Sequence, residues 1–298
     1  MINKVFLPVL ALACVTAMPS QQKRQIPAAS WDRPGAARPA TADTAPRRYL
    51  PPYFQAEQSQ RLLRRHQPVI RSKAEFEGLQ AIFDAAGDKA RIVAVDTFVE
   101  KFPDSEWKGF ALHMGAISYQ QMNDYKNLMI YGERALEVEP DNCHVMLVMS
   151  TALARRNRES GFDKEEELNR AAELANRAIK ILANAPRPNV TISDDQWEAA
   201  RKDLISQAHE ALGIIASNRK NYEEAVDEYK QSIELNTNPV PVTQVRLGAA
   251  YIEVGDYGEA IVTLEAALAD PQLQGQARTL AEQQKARAQK MQAGQVSK

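Results

Sequence analysis

The residue types that could do chemistry are sparse in this chain and do not converge. Four histidines, His66, His113, His144 and His209, are scattered along it. None has the His-x3-His or His-Glu-x2-His spacing that sets two metal ligands on one face of a helix. The cysteines are Cys14 and Cys143 alone, so no zinc site built on paired thiols can form. Glycine-rich phosphate loops and the Gly-x-Ser-x-Gly nucleophile elbow are absent. Asp194 and Asp195 are adjacent carboxylates, but they follow Ser193 at the start of a helical pattern, where capping accounts for them. Asn189-Val190-Thr191 has the form of a glycosylation sequon, which means something only in a eukaryotic secretory pathway. The chain therefore reads as non-catalytic, without a metal or a cofactor, and its function is to be sought in binding.

The 298 residues are 44% hydrophobic and 25% charged, ordinary values for one or two globular domains. Net charge is −1 but unevenly spread. Residues 22–73 hold eleven Lys/Arg against three Asp/Glu, whereas 74–298 hold 25 against 35. A basic arm precedes an acidic body, and nothing suggests a nucleic-acid partner. The N-terminus has Lys4, then an apolar run from Val5 to Met18. That run is shorter than the roughly 20 residues of a membrane-spanning helix. Val15-Thr16-Ala17 fits a signal-peptidase site, so residues 1–17 read as a secretory signal peptide. Export to a periplasm or cell envelope follows, ahead of full secretion. The alternatives are an uncleaved anchor and lipidation at Cys14, whose preceding Leu10-Ala11-Leu12-Ala13 resembles a bacterial lipobox imperfectly.

Residues 18–72 read as a linker. Pro27, Pro34, Pro39, Pro46, Pro51 and Pro52 lie among Ala, Thr and Arg without periodicity. Such a composition buries too little apolar surface to offset its ordering entropy. Arg61, Arg64 and Arg65 flank Leu62 and Leu63 in a possible short helix, either a solvated lead-in or a contact for an anionic surface. From Lys73 the pattern becomes helical to the end. Phe76, Leu79, Ile82 and Phe83 form one stripe, and Ile92, Val95, Phe98 and Val99 a second after Gly87.

That helix–turn–helix design recurs. NDYKNLMIYGERALEVEP (123–140), KNYEEAVDEYKQSIELNT (220–237) and GDYGEAIVTLEAALADPQ (255–272) align, each opening on Tyr125, Tyr222 or Tyr257. Upstream stand Gly115-Ala116, Leu212-Gly213 and Leu247-Gly248. This pattern resembles the tetratricopeptide repeat, most clearly over 206–239 and 241–272. The glycines and small residues sit where the helices of a hairpin cross closely. Pro140, Pro239 and Pro271 keep one helix from running into the next. The units fall at 74–105, 109–142, 143–184, 196–239 and 241–272, with a polar cap at 275–292, so that 73–292 form one repeat domain. About nine extra residues interrupt the third unit, and Ser193 or Asp194 caps a long helix from near Gln196 to Asn218. The expected fold is all-α: a right-handed superhelical solenoid of about five hairpins with a C-terminal capping helix. One position is odd. Gly132 stands where the later units have Tyr229 and Leu264, so this unit either packs more loosely or is filled by a neighbour such as Tyr131.

The resemblance implies a protein–protein interaction scaffold whose first helices line a concave groove for a peptide or helix. Carried over by position, that groove comprises Phe110, His113, Ile117 and Gln121; His144, Leu147 and Thr151; Gln207, Glu210, Ile214 and Asn218; and Val242, Val245 and Ile252. The Lys and Asn positions with which some family members hold a terminal carboxylate are occupied by other residues here, leaving an apolar to mildly polar surface. Two alternatives stay open: several of these side chains belong to the core, or the basic arm covers them. The partner is another protein or peptide. The competing functions are self-association as a structural envelope factor and service as an accessory subunit of an envelope enzyme.

Overall fold

The computed structural model describes residues 69–156, 163–187, 193–238 and 240–296. The signal peptide, Cys14, the Arg61–Arg65 cluster, the sequon and most of the linker lie outside the described residues. The chain divides into two units, Met1–Gln67 with Pro186–Ile192, and Pro68–Ala185 with Ser193–Lys298. Every described helix belongs to the second.

Eleven helices and no strand occur among the described residues. They pair as hairpins: α1 (Lys73–Phe83) with α2 (Asp88–Lys101), α3 (Lys108–Gln121) with α4 (Tyr125–Val138), and α5 (Cys143–Arg155) with α6 (Lys164–Ala183). Then come α7 (Asp194–Asn218) with α8 (Tyr222–Leu235) and α9 (Pro241–Val254) with α10 (Tyr257–Ala269). The last helix, α11 (Gly275–Val296), packs on α10 and α9. Each hairpin touches its sequence neighbours, and the first helix α5 also meets the first helices α3 and α7. This is an all-α solenoid, in which one hairpin cannot bury its apolar stripe but a stack can.

The turns explain why the hairpins look alike. Asn123, Lys220 and Gly255 all sit at positive φ, 56°, 63° and 88°. The next residue in each case closes the same bond back over the helix end. Asp124 N–H donates to Tyr119 O, Asn221 N–H to Ala216 O and Asp256 N–H to Tyr251 O, each at 2.9 Å. This left-handed stop satisfies carbonyls the helix leaves open. Asp124 and Asp256 then cap the following helix by accepting from the backbone of Asn127 and Glu259.

Inside the hairpins the small residues do what their spacing suggested. A β-carbon on Gly213 would stand 2.5 Å from the Tyr229 ring, and one on Gly248 2.5 Å from Leu264 Cγ. In the second hairpin the bulky residue is displaced by one position. Tyr131 lies over Gly115, and Gly132 leaves room instead for Met149 of the next hairpin. Tyr131 donates a hydrogen bond to Asp96 and lies 4.9 Å from Tyr119.

α7 begins at Asp194, with Ser193 as its N-cap in a reciprocal capping box with Gln196. Its first turns close the end of α6: Trp197 Nε1 donates to Ala185 O, and Arg201 Nη1 to Leu182 O and Ala183 O. The apolar stripe expected on α1 is only half buried. Leu79 and Ile82 are core, but Phe76 and Phe83 are exposed, while Glu75 is buried. Glu75 is drawn inward because its carboxylate accepts from Ser105 Oγ and from the Arg71 backbone N–H. The last four residues of the expected linker are fastened too, through Val69 N–H and the Arg71 guanidinium to Glu106.

Candidate partner-binding face

Four segments of the first helices differ from the second helices in charge. Among Asp, Glu, Lys and Arg, α3 carries Lys108 alone and α5 carries Arg155 alone. Residues 206–218 of α7 carry Glu210 alone, and α9 carries Arg246 and Glu253. By contrast α8 carries Glu223, Glu224, Asp227, Glu228 and Glu234 against Lys230, and α10 carries Glu259 and Glu265. Residues 108–121, 143–155, 206–218 and 241–254 therefore form a charge-poor strip, in contrast to α1 and to residues 194–205 of α7.

Of the positions assigned to that strip, His113, Leu147, Ile214, Val245 and Ile252 are buried. They are corrected from surface to core, because the helices packed around them, α8, α10 and α11 in the case of α9, cover them. Phe110, Ile117, His144, Thr151, Glu210, Asn218 and Val242 are half-buried, and Gln121 and Gln207 are exposed. Phe110 anchors an aromatic group at the N-terminal end. Its ring stacks on Phe83 at 5.4 Å and meets the edge of Trp107 at 5.9 Å. Asn218 is occupied structurally: its Nδ2 donates to Ala154 O at 2.8 Å, tying the end of α7 to the end of α5.

His113 and His144 offer no acid–base chemistry near neutrality. His113 and His144 lie with ring centroids 5.8 Å apart. Burial, then the charge of His144, pushes His113 down to about 3, and burial pushes His144 down to about 4. His209 Nδ1 bonds Glu228 at 2.7 Å and so joins α7 to α8. Cys143 is a buried thiol whose Sγ lies 3.6 Å from Asp141 O. Among the described residues no group of three or more His, Cys, Asp or Glu side chains could hold a metal ion. No described helix is long and apolar enough to cross a membrane.

The polar centre of the strip lies elsewhere. Glu210 Oε1 accepts from Arg155 Nη2 at 3.3 Å and also from Arg246 Nη1. One carboxylate thus bridges α5, α7 and α9. Glu210 was assigned by position, but Arg155 and Arg246 were not. The separations 155–210 and 210–246 are unequal because the insertions stretch the repeat, so periodicity alone could not align them.

Residues 206–239 and 243–269 match the family model described as tetratricopeptide repeat. No curated protein matches the chain. Among solved structures, a thermophilic TPR protein of Thermus thermophilus is 16% identical, over 70% of this chain and 94% of its own, with a TM-score of 0.48. An assembly chaperone of RpL4 (Acl4, residues 1–338) is 15% identical, over 76% of this chain and all of its own, with a TM-score of 0.43. On the family match, tetratricopeptide repeats occupy 206–239 and 243–269, and repeats of this family imply a protein–protein interaction scaffold.

Proposed function

We propose that the chain is an exported, non-catalytic scaffold of the periplasm or cell envelope that binds a peptide or helix along its first helices. The observation that supports this reading is the low charge of residues 108–121, 143–155, 206–218 and 241–254. These segments keep Phe110, Ile117 and Val242 partly open beside almost no charge, as a surface for an apolar segment requires. The export reading rests on Lys4, the apolar run Val5–Met18 and the small residues before position 18.

Site-specific photocrosslinking tests the surface. A crosslinking residue at Ile117 or Val242 should capture a partner in the cells that make the protein. The same residue at Val93 or Val262, exposed on second helices, should not. Capture only from Val93 and Val262 overturns the assignment. Mass spectrometry of the mature N-terminus tests export: a chain beginning after Ala17, or a lipid on Cys14, is expected. An intact Met1 terminus removes the export reading.

A second reading has its own support. Phe76 and Phe83 on the first helix, and Leu280 and Met291 on the last, are exposed apolar side chains at the two ends of the helical stack. Self-association through these ends would make the protein a structural envelope factor. Sedimentation at rising concentration checks it, and a constant monomer mass excludes it.

A further inference from the structure

We propose that Arg155 and Arg246, held in place by Glu210, recognise an aspartate or glutamate side chain within the bound segment, so that the partner is an acidic–apolar protein segment. This rests on the reading of the first helices as the binding surface.

The geometry points to an unfilled valence of charge. Two guanidiniums share one oxygen of one carboxylate, Glu210 Oε1. Neither pair is a two-bond fork, so each arginine keeps most of its five N–H donors for another acceptor. The three groups carry a net charge of +1, and the Arg155 side chain is 53% exposed. Glu210 acts as a placeholder. It fixes two long side chains that would otherwise lose rotamer entropy on binding, and it leaves Arg155 largely open and Arg246 partly so, at 27% exposed.

The surroundings favour a second carboxylate there. On residues 108–121, 143–155, 206–218 and 241–254 the acidic side chains are Glu210 and Glu253. Glu253 is already taken by Arg287 Nη1 of α11 at 2.7 Å. An incoming carboxylate therefore meets two fixed cations and no competing free acid on these segments. The ladder sits mid-strip, with α3 on one side and α11 on the other. A segment can run through it, which favours an internal acidic side chain over a chain end.

The test uses the purified full chain and short random peptides displayed on phage. Selected peptides should share one Asp or Glu flanked by apolar residues. Replacing that acid by Asn or Gln should weaken binding about tenfold, the size of a charge-assisted contact. Arg155→Gln and Arg246→Gln should each weaken the acidic peptide by a similar factor and leave the neutral peptide unchanged, with helix content intact by circular dichroism. Glu210→Gln should tighten the acidic peptide, because it removes the competitor. C-terminal amidation should leave affinity unchanged. Weaker binding to Glu210→Gln, or loss of binding on amidation, overturns the proposal. Peptides that crosslink to the first helices without an acidic preference overturn it too, but leave the surface reading standing. Peptides that crosslink only to second helices, or no binding peptide at all, remove both.

Discussion

Tyr229 lies flat against Gly213, its Cε1 2.5 Å from where a β-carbon on that glycine would stand. The ring is only 1% exposed, and its hydroxyl is held by Ser217 Oγ at 3.2 Å. It has no room to retreat. Gly213→Ala should therefore lower stability by about 1–3 kcal/mol through overpacking. Gly258→Ala is the control, since the nearest side-chain atom to its β-carbon lies 3.9 Å away, and its effect should stay within about 0.5 kcal/mol. Equal melting temperatures for the two variants would remove the close-crossing argument.

The repeated left-handed turn gives a prediction of opposite sign. Lys220 sits at φ 63°, where a β-carbon crowds the following carbonyl at a cost of about 1–2 kcal/mol. Lys220→Gly should stabilise the protein by about 0.5–1 kcal/mol, the relief exceeding the added freedom of the unfolded chain. Gly255→Ala, at φ 88°, should destabilise by about 1 kcal/mol. Urea unfolding of both variants distinguishes this account from a turn that tolerates any residue.

Acid should weaken the fold through two histidines. His113 is lowered to about 3 and His144 to about 4 when folded, whereas both lie near 6.5 in the unfolded chain. Between those values the unfolded state binds more protons, so stability falls as pH drops. The loss begins near pH 6.5 and saturates once the folded histidines protonate, with a slope of up to about 1.4 kcal/mol per pH unit for each. His113→Gln should flatten the dependence between pH 6 and 4. An unchanged slope would assign the acid response to other groups.

The buried carboxylate of Glu75 supplies a fourth prediction. It accepts from Ser105 Oγ at 2.5 Å and is 2% exposed. Ser105→Ala strands part of a desolvated charge and should cost about 1–3 kcal/mol. Hydrogen exchange should then quicken in α1 and α2 first. Uniform quickening across all helices would instead indicate that the contact supports the whole stack.

The hairpins were legible because their rules are local. Gly213 and Gly248, the tyrosines at helix starts and the prolines at helix ends recur near a fixed period, and a period needs no tertiary knowledge. Ser193, one of the two expected caps, likewise marked the start of α7, which begins at Asp194, two residues before the expected Gln196. What was hidden depends on neighbours distant in sequence. Tyr131 was the expected substitute for Gly132, but the fit of its ring over Gly115 and of Met149 into the space at Gly132 was not readable. Phe76 and Phe83 fit the α1 stripe yet stay exposed, Phe83 stacking on Phe110, while Glu75 is held inward by Ser105, thirty residues away. Five of the positions expected on the binding face are core, since the repeat pattern fixes which helix a residue is on but not how tightly the next helix closes over it. Arg155 and Arg246 escaped notice because insertions break the register that would have paired them.

The last helix is fastened differently from those before it. Its fully buried side chains are Ala281 and Ala288, small residues with little area to lose. Each earlier hairpin is flanked on one side or both by others and buries tyrosine, phenylalanine, leucine or methionine. Pulled from its C-terminus, the molecule should yield in steps: α11 peels at low force, then the hairpins part at a higher threshold. The chain is in this respect a graded elastic element, soft at one end.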